Sequence, residues 1–236
     1  MFKKVVPFNT QSHAEKKILP VKSYKFAAET NIASLLVNEF SLAASVYPIV
    51  FLKNEDTYGA FALLGLKKGE NLFVDEEGKW KGHYIPAIIR RYPFALGKSE
   101  GQDNFMVCID EESEFLSDAE GQPLVDEEGK PTDVIERAKK FLSELHRMDA
   151  LTKQFCKELA ERELLVPLNM QIKNPDGKVA QNIEGCFAIN EKKLGEISDE
   201  DFLNFRKRGA ISPIYSHLVS LGQVDRLMRL KTGTAK

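Results

Sequence analysis

"YPIVFLKNEDTYGAFALLGL" (residues 47–66) reads as two strands folded back on each other. Branched and aromatic residues fill "YPIVFLK" (47–53), "NED" supplies a polar turn, and "YGAFALLGL" (58–66) returns. A pair joined this closely can only be antiparallel, because a parallel partner needs a long crossover. Downstream, Gly69 turns the chain into "NLFVD". Asp75-Glu76-Glu77-Gly78-Lys79 then suits a tight hairpin with glycine in the left-handed region, its partner strand starting at Lys79-Trp80. Residues 47–80 therefore predict a meander of adjacent strands.

Upstream, "IASLLVNEFSLAASV" (32–46) carries apolar residues at three- and four-residue steps, capped by Thr30 or Asn31 and stopped before Pro48. That pattern predicts a helix. "NFMVCID" (104–110) predicts a further strand, and residues 110–131 an acidic connection. Beyond Pro131, Ile135, Ala138, Leu142, Leu145, Met148, Thr152, Phe155 and Leu159 predict a long helix to about Glu163, or two helices broken near Asp149-Ala150, with Asp133 and Glu136 as a capping-box-like pair. Two strands joined at "NPDGK" (174–178) follow. Helices close the chain, the first capped by Ser198 with Asp201 and ended by Gly209, the next opened by Pro213. Strands cluster instead of alternating with helices. The expected fold is α+β, mainly antiparallel sheet with a long central helix and C-terminal helices, in a single domain over residues 1–236.

"VDEEGK" occurs at 74–79 and again at 125–130. The flanks of the two copies share little, so the repeat reads as recurring turn chemistry and not as an internal duplication. Neither copy has the alternating oxygen ligands of a calcium loop.

Composition narrows the function. Apolar residues make up 43% of the 236 and charged residues 29%, an ordinary globular balance. No run is apolar enough to span a membrane, and "MFKKVVPFNT" lacks a secretory h-region. The expected location is the cytoplasm, with signal-less export to the cell surface as the other route. Net charge runs from +4 over 1–100 to −9 over 101–170 and +3 over 171–236, with no concentrated basic face for nucleic acid. Cys108, Cys156 and Cys186 have no paired spacing, and the four histidines lie far apart, so neither a disulfide framework, a metal nor a cofactor is called for.

The best site candidate is "HYIPAIIRRYPFAL" (83–96). Read as a strand, it sends Arg90 and Arg91 to opposite faces, so the two arginines would not form one clamp. Each is either a structural arginine matched by carbonyls or carboxylates, or a recognition group framed by Trp80, Tyr84, Tyr92 and Phe94 that takes a carboxylate, a phosphate or an aromatic ring. No nucleophile elbow, phosphate loop or dinucleotide fingerprint is present. Without a catalytic constellation the chain reads as a binding protein before it reads as an enzyme.

"YPIVF" (47–51), "FALLGLKKGENLFVDEEGKWKGHYIPAIIRRYPFAL" (61–96) and "IYSHLVSL" (214–221) resemble the SapC family of bacterial proteins, densest over 58–96. The resemblance implies an accessory role tied to surface-layer proteins, with relatives encoded near halogenase-like, cupin-like and outer-membrane receptor genes. It brings no catalytic residues. What it implies is a partner that is a protein, a peptide or a small molecule. The alternatives are an enzyme, or an enzyme's substrate-presenting partner, with a pocket around 80–94, and a structural surface-layer component.

Overall fold

The computed structural model describes residues 1–98, 105–173 and 179–233; the "NPDGK" turn and the residues of "GKSEG" and "NFMVCID" between 99 and 104 lie outside them. In chain order the elements are β1 (Val5–Pro7), β2 (Lys17–Ile18), β3 (Ile32–Ser34), α1 (Phe40–Ala43), β4 (Ile49–Asn54), β5 (Thr57–Leu63), α2 (Ala87–Arg90), β6 (Phe94–Lys98), β7 (Phe105–Asp110), β8 (Leu116–Ser117) and β9 (Gln122–Pro123). Then come α3 (Asp133–Glu161), β10 (Leu165–Lys173), β11 (Val179–Ile189), α4 (Glu191–Gly195), α5 (Asp199–Lys207), α6 (Ile211–Ser220) and α7 (Val224–Thr232). The fold is α+β, with antiparallel sheets, the long helix and C-terminal helices as the sequence predicts.

The 47–66 hairpin forms the middle of a five-stranded sheet ordered β10-β11-β4-β5-β3. Asn54 pairs with Thr57 and Leu52 with Gly59, so only Glu55 and Asp56 make the turn. Two smaller sheets, β1-β7-β6 and β8-β2-β9, form beside it. The meander does not run on as far as the sequence suggests. After β5 the chain leaves the sheet, and Val74 meets Trp80 in a single bridge around the turn.

Both "VDEEGK" copies build the same loop. Asp75 Oδ1 accepts from Glu77 N–H and Lys79 N–H, and Asp126 Oδ1 from Glu128 N–H and Lys130 N–H, at 2.7–3.1 Å. Gly78 and Gly129 have φ of 86° and 77°, where a side chain would be strained.

Three local expectations are corrected. Residues 32–46 are not one helix: Ile32–Ser34 pair with β5 as an edge strand, a 3₁₀ turn follows at Val37–Glu39, and α1 begins at Phe40. The apolar spacing is met either way, because strand and turn bury Leu35, Leu36, Phe40 and Ala43 just as a helix would. Residues 84–92 are not a strand: Pro86 opens the short helix α2. At the N-terminus of α3, Thr132 and not Asp133 is the cap. Its hydroxyl donates to the Pro123 carbonyl at 2.7 Å and makes no cap bond.

Helix α3 is a single rod of 29 residues, about 43 Å long at 1.5 Å per residue. Phe155, Cys156 and Leu159 sit in the main core beside Phe40, Phe51 and Ile214, while Ile135 sits in a second core with Ile109, Leu124 and Val125.

One core group ties stability to pH. His217 on α6 is fully buried, and its Nε2 accepts the Ile189 N–H at 3.0 Å. Burial pulls its pKa down from 6.5 to about 4. Below 6.5 the unfolded chain takes a proton that the folded chain refuses, so this contribution is present above 6.5 and lost as pH falls toward 4. It is worth about 3 kcal/mol. Denaturant unfolding at pH 7 and pH 4 is expected to show that loss, and His217→Gln is expected to have the shallower slope between the two.

Candidate functional site

Two cavities follow one another along one flank of α3. The larger, about 1280 Å³, lies between the C-terminal half of the helix and the β4–β5 hairpin. Leu35, Leu52, Tyr58 and Phe61 give it apolar walls, and Lys153, Gln154 and Lys157 stand across from them. The smaller, about 300 Å³, lies farther toward the helix N-terminus, between Leu142 and His146 on α3 and Leu36, Ile88, Arg91 and Leu96. Ser34 and Asp149 line both, so the cavities abut there. From Leu142 to Glu161 the flank is about 28 Å long.

The smaller cavity mixes apolar walls with the polar side chains of Ser34, Arg91, His146 and Asp149. Arg91 is half-buried, with its guanidinium 5.2 Å from the Phe2 ring centroid. Its Nε is buried and, among the described residues, has no acceptor and its side chain no carboxylate partner. Burial lowers its pKa from the ordinary arginine value. On the opposite rim, His146 is exposed and packs 4.3 Å from Phe105. Asp149 is already engaged by Lys153 at 2.6 Å. A guanidinium without a carboxylate among the described residues, beside apolar walls, has the chemistry to pair with an anion that carries an apolar body.

The six residues singled out from "HYIPAIIRRYPFAL" and its neighbour Trp80 do not converge on one cavity. Arg90 closes α2 and Arg91 is its C-cap with helical backbone angles, so the two project about 100° apart and not from alternate faces of a strand. They share no contact: Arg90 is exposed, donates Nε–H to the Ile85 carbonyl at 2.9 Å and lies over Tyr84 and Phe141. The Trp80 indole donates to the Tyr47 hydroxyl at 2.9 Å, and that hydroxyl donates to the Tyr84 carbonyl. Tyr84 donates its own hydroxyl to Glu39; burial first, then that carboxylate, raise the Tyr84 pKa. Tyr92 stacks 4.2 Å from Phe26 and donates to Asp110 at 3.2 Å. Phe94 packs against the second core. Of the six, Arg91 alone lines either cavity.

The other walls carry no local sequence signal. Ser34, Leu36, Tyr58, Phe61 and Asp149 come together only because β3, β5 and α3 approach in space. A weak hint existed in α3, where Ala150, Gln154, Lys157 and Glu161 recur beside the apolar stripe at three- and four-residue steps.

Nucleophile chemistry is poorly served. Ser45 Oγ lies 2.9 Å from His83 Nε2, and the Leu42 carbonyl at 2.7 Å competes with the imidazole for its proton. All three cysteines are buried. Burial raises the pKa of Cys108 and Cys186 and pushes Cys156 up to about 12, which keeps them thiols and not thiolates. Among the described residues no His, Cys, Asp and Glu group could hold a metal, and no helix is long and apolar enough to cross a membrane.

These features define an α+β chain with a long groove beside its central helix. The family model SapC matches residues 8–227, and the chain belongs to the SapC family. No curated protein and no solved structure matches it.

The thiol environment has a direct consequence. Native protein at pH 8 is expected to leave all three cysteines unmodified by a thiol reagent over minutes, and denatured protein to react at all three, as counted by intact mass.

Proposed function

We propose that this SapC-family chain is a non-catalytic binding protein, and that its small-molecule site is the Arg91 cavity. The observation that carries this reading is the half-buried guanidinium without a carboxylate. A purely structural arginine in such a place is normally matched by carboxylates or carbonyls, as Arg162 is matched by Asp201 at 2.8 Å and by the Glu158 carbonyl at 3.2 Å. Among the described residues, the Arg91 guanidinium has the face of Phe2 and no carboxylate. Leu36, Ile88 and Leu142 supply the apolar contacts beside it. The ligand class is therefore a carboxylate or phosphate on an apolar body, small enough for about 300 Å³. The surface-layer setting that the family's name carries fits an accessory role, in which the chain binds for a partner and does not itself build an array.

Leaving a cation uncompensated costs stability in the absence of ligand. Arg91→Met is expected to raise Tm by about 2–4 °C. Decanoate, used as the probe at millimolar concentration, is expected to raise the Tm of the parent protein and not that of the variant. A variant that melts several degrees lower and keeps the decanoate response would show that Arg91 is structural.

A further inference from the structure

The larger cavity borders an open strand edge. In β5 the even-numbered residues turn their backbone groups away from β4: the Ala60 carbonyl accepts from Leu35 N–H at 2.9 Å, and Leu64 N–H reaches the Asn31 carbonyl at 2.8 Å. The odd-numbered residues face β4, as the Leu63 N–H to Pro48 carbonyl bond shows at 3.0 Å. β3 pairs with Leu63 to Phe61 and the Leu35 bond extends that cover to the Ala60 carbonyl, after which the chain turns off at Leu36 into the 3₁₀ turn. Tyr58 is the next outward-facing residue. Its N–H and C=O therefore point to where no strand lies, and among the described residues no hydrogen bond reaches either. Residues 57–61 all line the cavity, with Leu52 and Phe61 on one face of the edge and Tyr58 on the other. At about 1280 Å³ the space exceeds what a compact small ligand fills.

We infer that the β5 edge at Tyr58 is a strand-addition site that takes an extended, apolar peptide segment of a partner protein. One residue of the incoming strand accepts from Tyr58 N–H and donates to Tyr58 C=O. Its neighbours alternate between the Leu52–Phe61 side and the Tyr58 side, which gives selectivity for alternating apolar side chains. The rim carries no charge preference. Three lysines (53, 153, 157) stand against three acids (Asp56, Asp149, Glu161), and Lys153 and Lys157 already pair with Asp149 and Glu161. A second copy of the chain is the poorer occupant. The edge is recessed opposite Lys153, Gln154 and Lys157 of α3, and two edges recessed behind their own helices cannot meet. The inference stands apart from the Arg91 reading, which concerns the neighbouring cavity.

The test is selection of displayed random peptides on the full chain, followed by binding of the best synthetic peptide. Because the Tyr58 N–H faces outward, Tyr58→Pro removes the docking donor and leaves the β4–β5 ladder bonds in place. Tyr58→Thr keeps the N–H and changes the side chain. Expected are extended apolar peptides whose affinity falls about tenfold or more in Tyr58→Pro and stays within about threefold in Tyr58→Thr. Tm is expected to remain within about 3 °C of the parent in both. If Tyr58→Pro does not fold, amide exchange on the parent decides: the peptide must protect the Tyr58 amide. The inference is overturned if no peptide is selected, if affinity is unchanged in Tyr58→Pro, or if protection falls elsewhere. It is also overturned if a concentration-dependent dimer protects Tyr58 without peptide. The decanoate response measured on Tyr58→Pro keeps the two sites distinguishable, since its persistence leaves the Arg91 reading standing whatever the peptide does.

Discussion

The buried carboxylate of Glu39 holds together the pieces from which the groove is made. It is 4% exposed and accepts from Leu36 N–H at 2.9 Å, from Ala87 N–H at 2.8 Å and from the Tyr84 hydroxyl. These donors come from three places: the end of the edge strand β3, the first turn of α2, and the segment leading into α2. Leu36 N–H and Ala87 N–H would otherwise be buried without partners, at a cost of about 1–3 kcal/mol each. The same bonds decide geometry. The one to Leu36 makes the chain leave β5 after Ser34, which opens the strand edge at Tyr58. The one to Ala87 fixes the start of α2, which aims Ile88 and Arg91 at α3. Both cavities thus inherit their walls from one side chain.

That dependence explains what was legible in the sequence and what was not. The hairpin at 47–66, α3, the Ser198 cap and both "DEEGK" turns are set by local chemistry: alternation, helical spacing, a serine at an N-terminus, a glycine where φ is positive. Residues 32–46 and 84–92 are set by a contact between them, 48 positions apart along the chain from Glu39 to Ala87. Their own patterns suit more than one structure, and the carboxylate selects. In the "HYIPAIIRRYPFAL" stretch most of the aromatic residues serve the core. Trp80 and Tyr84 belong to the hydrogen-bond chain through Tyr47, and Tyr92 belongs to Asp110. The cavity walls were illegible because they are assembled from positions near 34, 58, 91 and 149.

Asp110 shows how the chain satisfies a buried carboxylate, although His13 Nε2 and His217 Nδ1, like Arg91 Nε, are buried without a hydrogen-bond partner among the described residues. Asp110 is fully buried, and burial alone would raise its pKa. Backbone donors at Lys4, Lys3 and Glu112, with the Tyr92 hydroxyl, outweigh that effect and hold it below the ordinary aspartate value. Glu158 is matched likewise, by Arg208 and by Gln154 at 2.8 Å. Asn71 bridges the Ala27 carbonyl and Phe73 N–H, each at 3.0 Å.

Against that background, the unmatched groups along α3 carry information through their position. Among the described residues Arg91 has no carboxylate and the outward side of Tyr58 no strand, and both lie along the same flank of one helix. Each omission has a cost, one in desolvation of a cation and the other in an exposed edge that invites wrong pairing. A chain that supplies three donors to Glu39 and four to Asp110 has the means to close such gaps. The edge is instead left open but recessed beside α3, which admits a slender strand and obstructs a whole sheet. The cation is covered on one side by the Phe2 ring, which takes away part of its water without neutralising it. On the binding reading proposed above, that tolerated cost is what separates this flank from an imperfectly packed core.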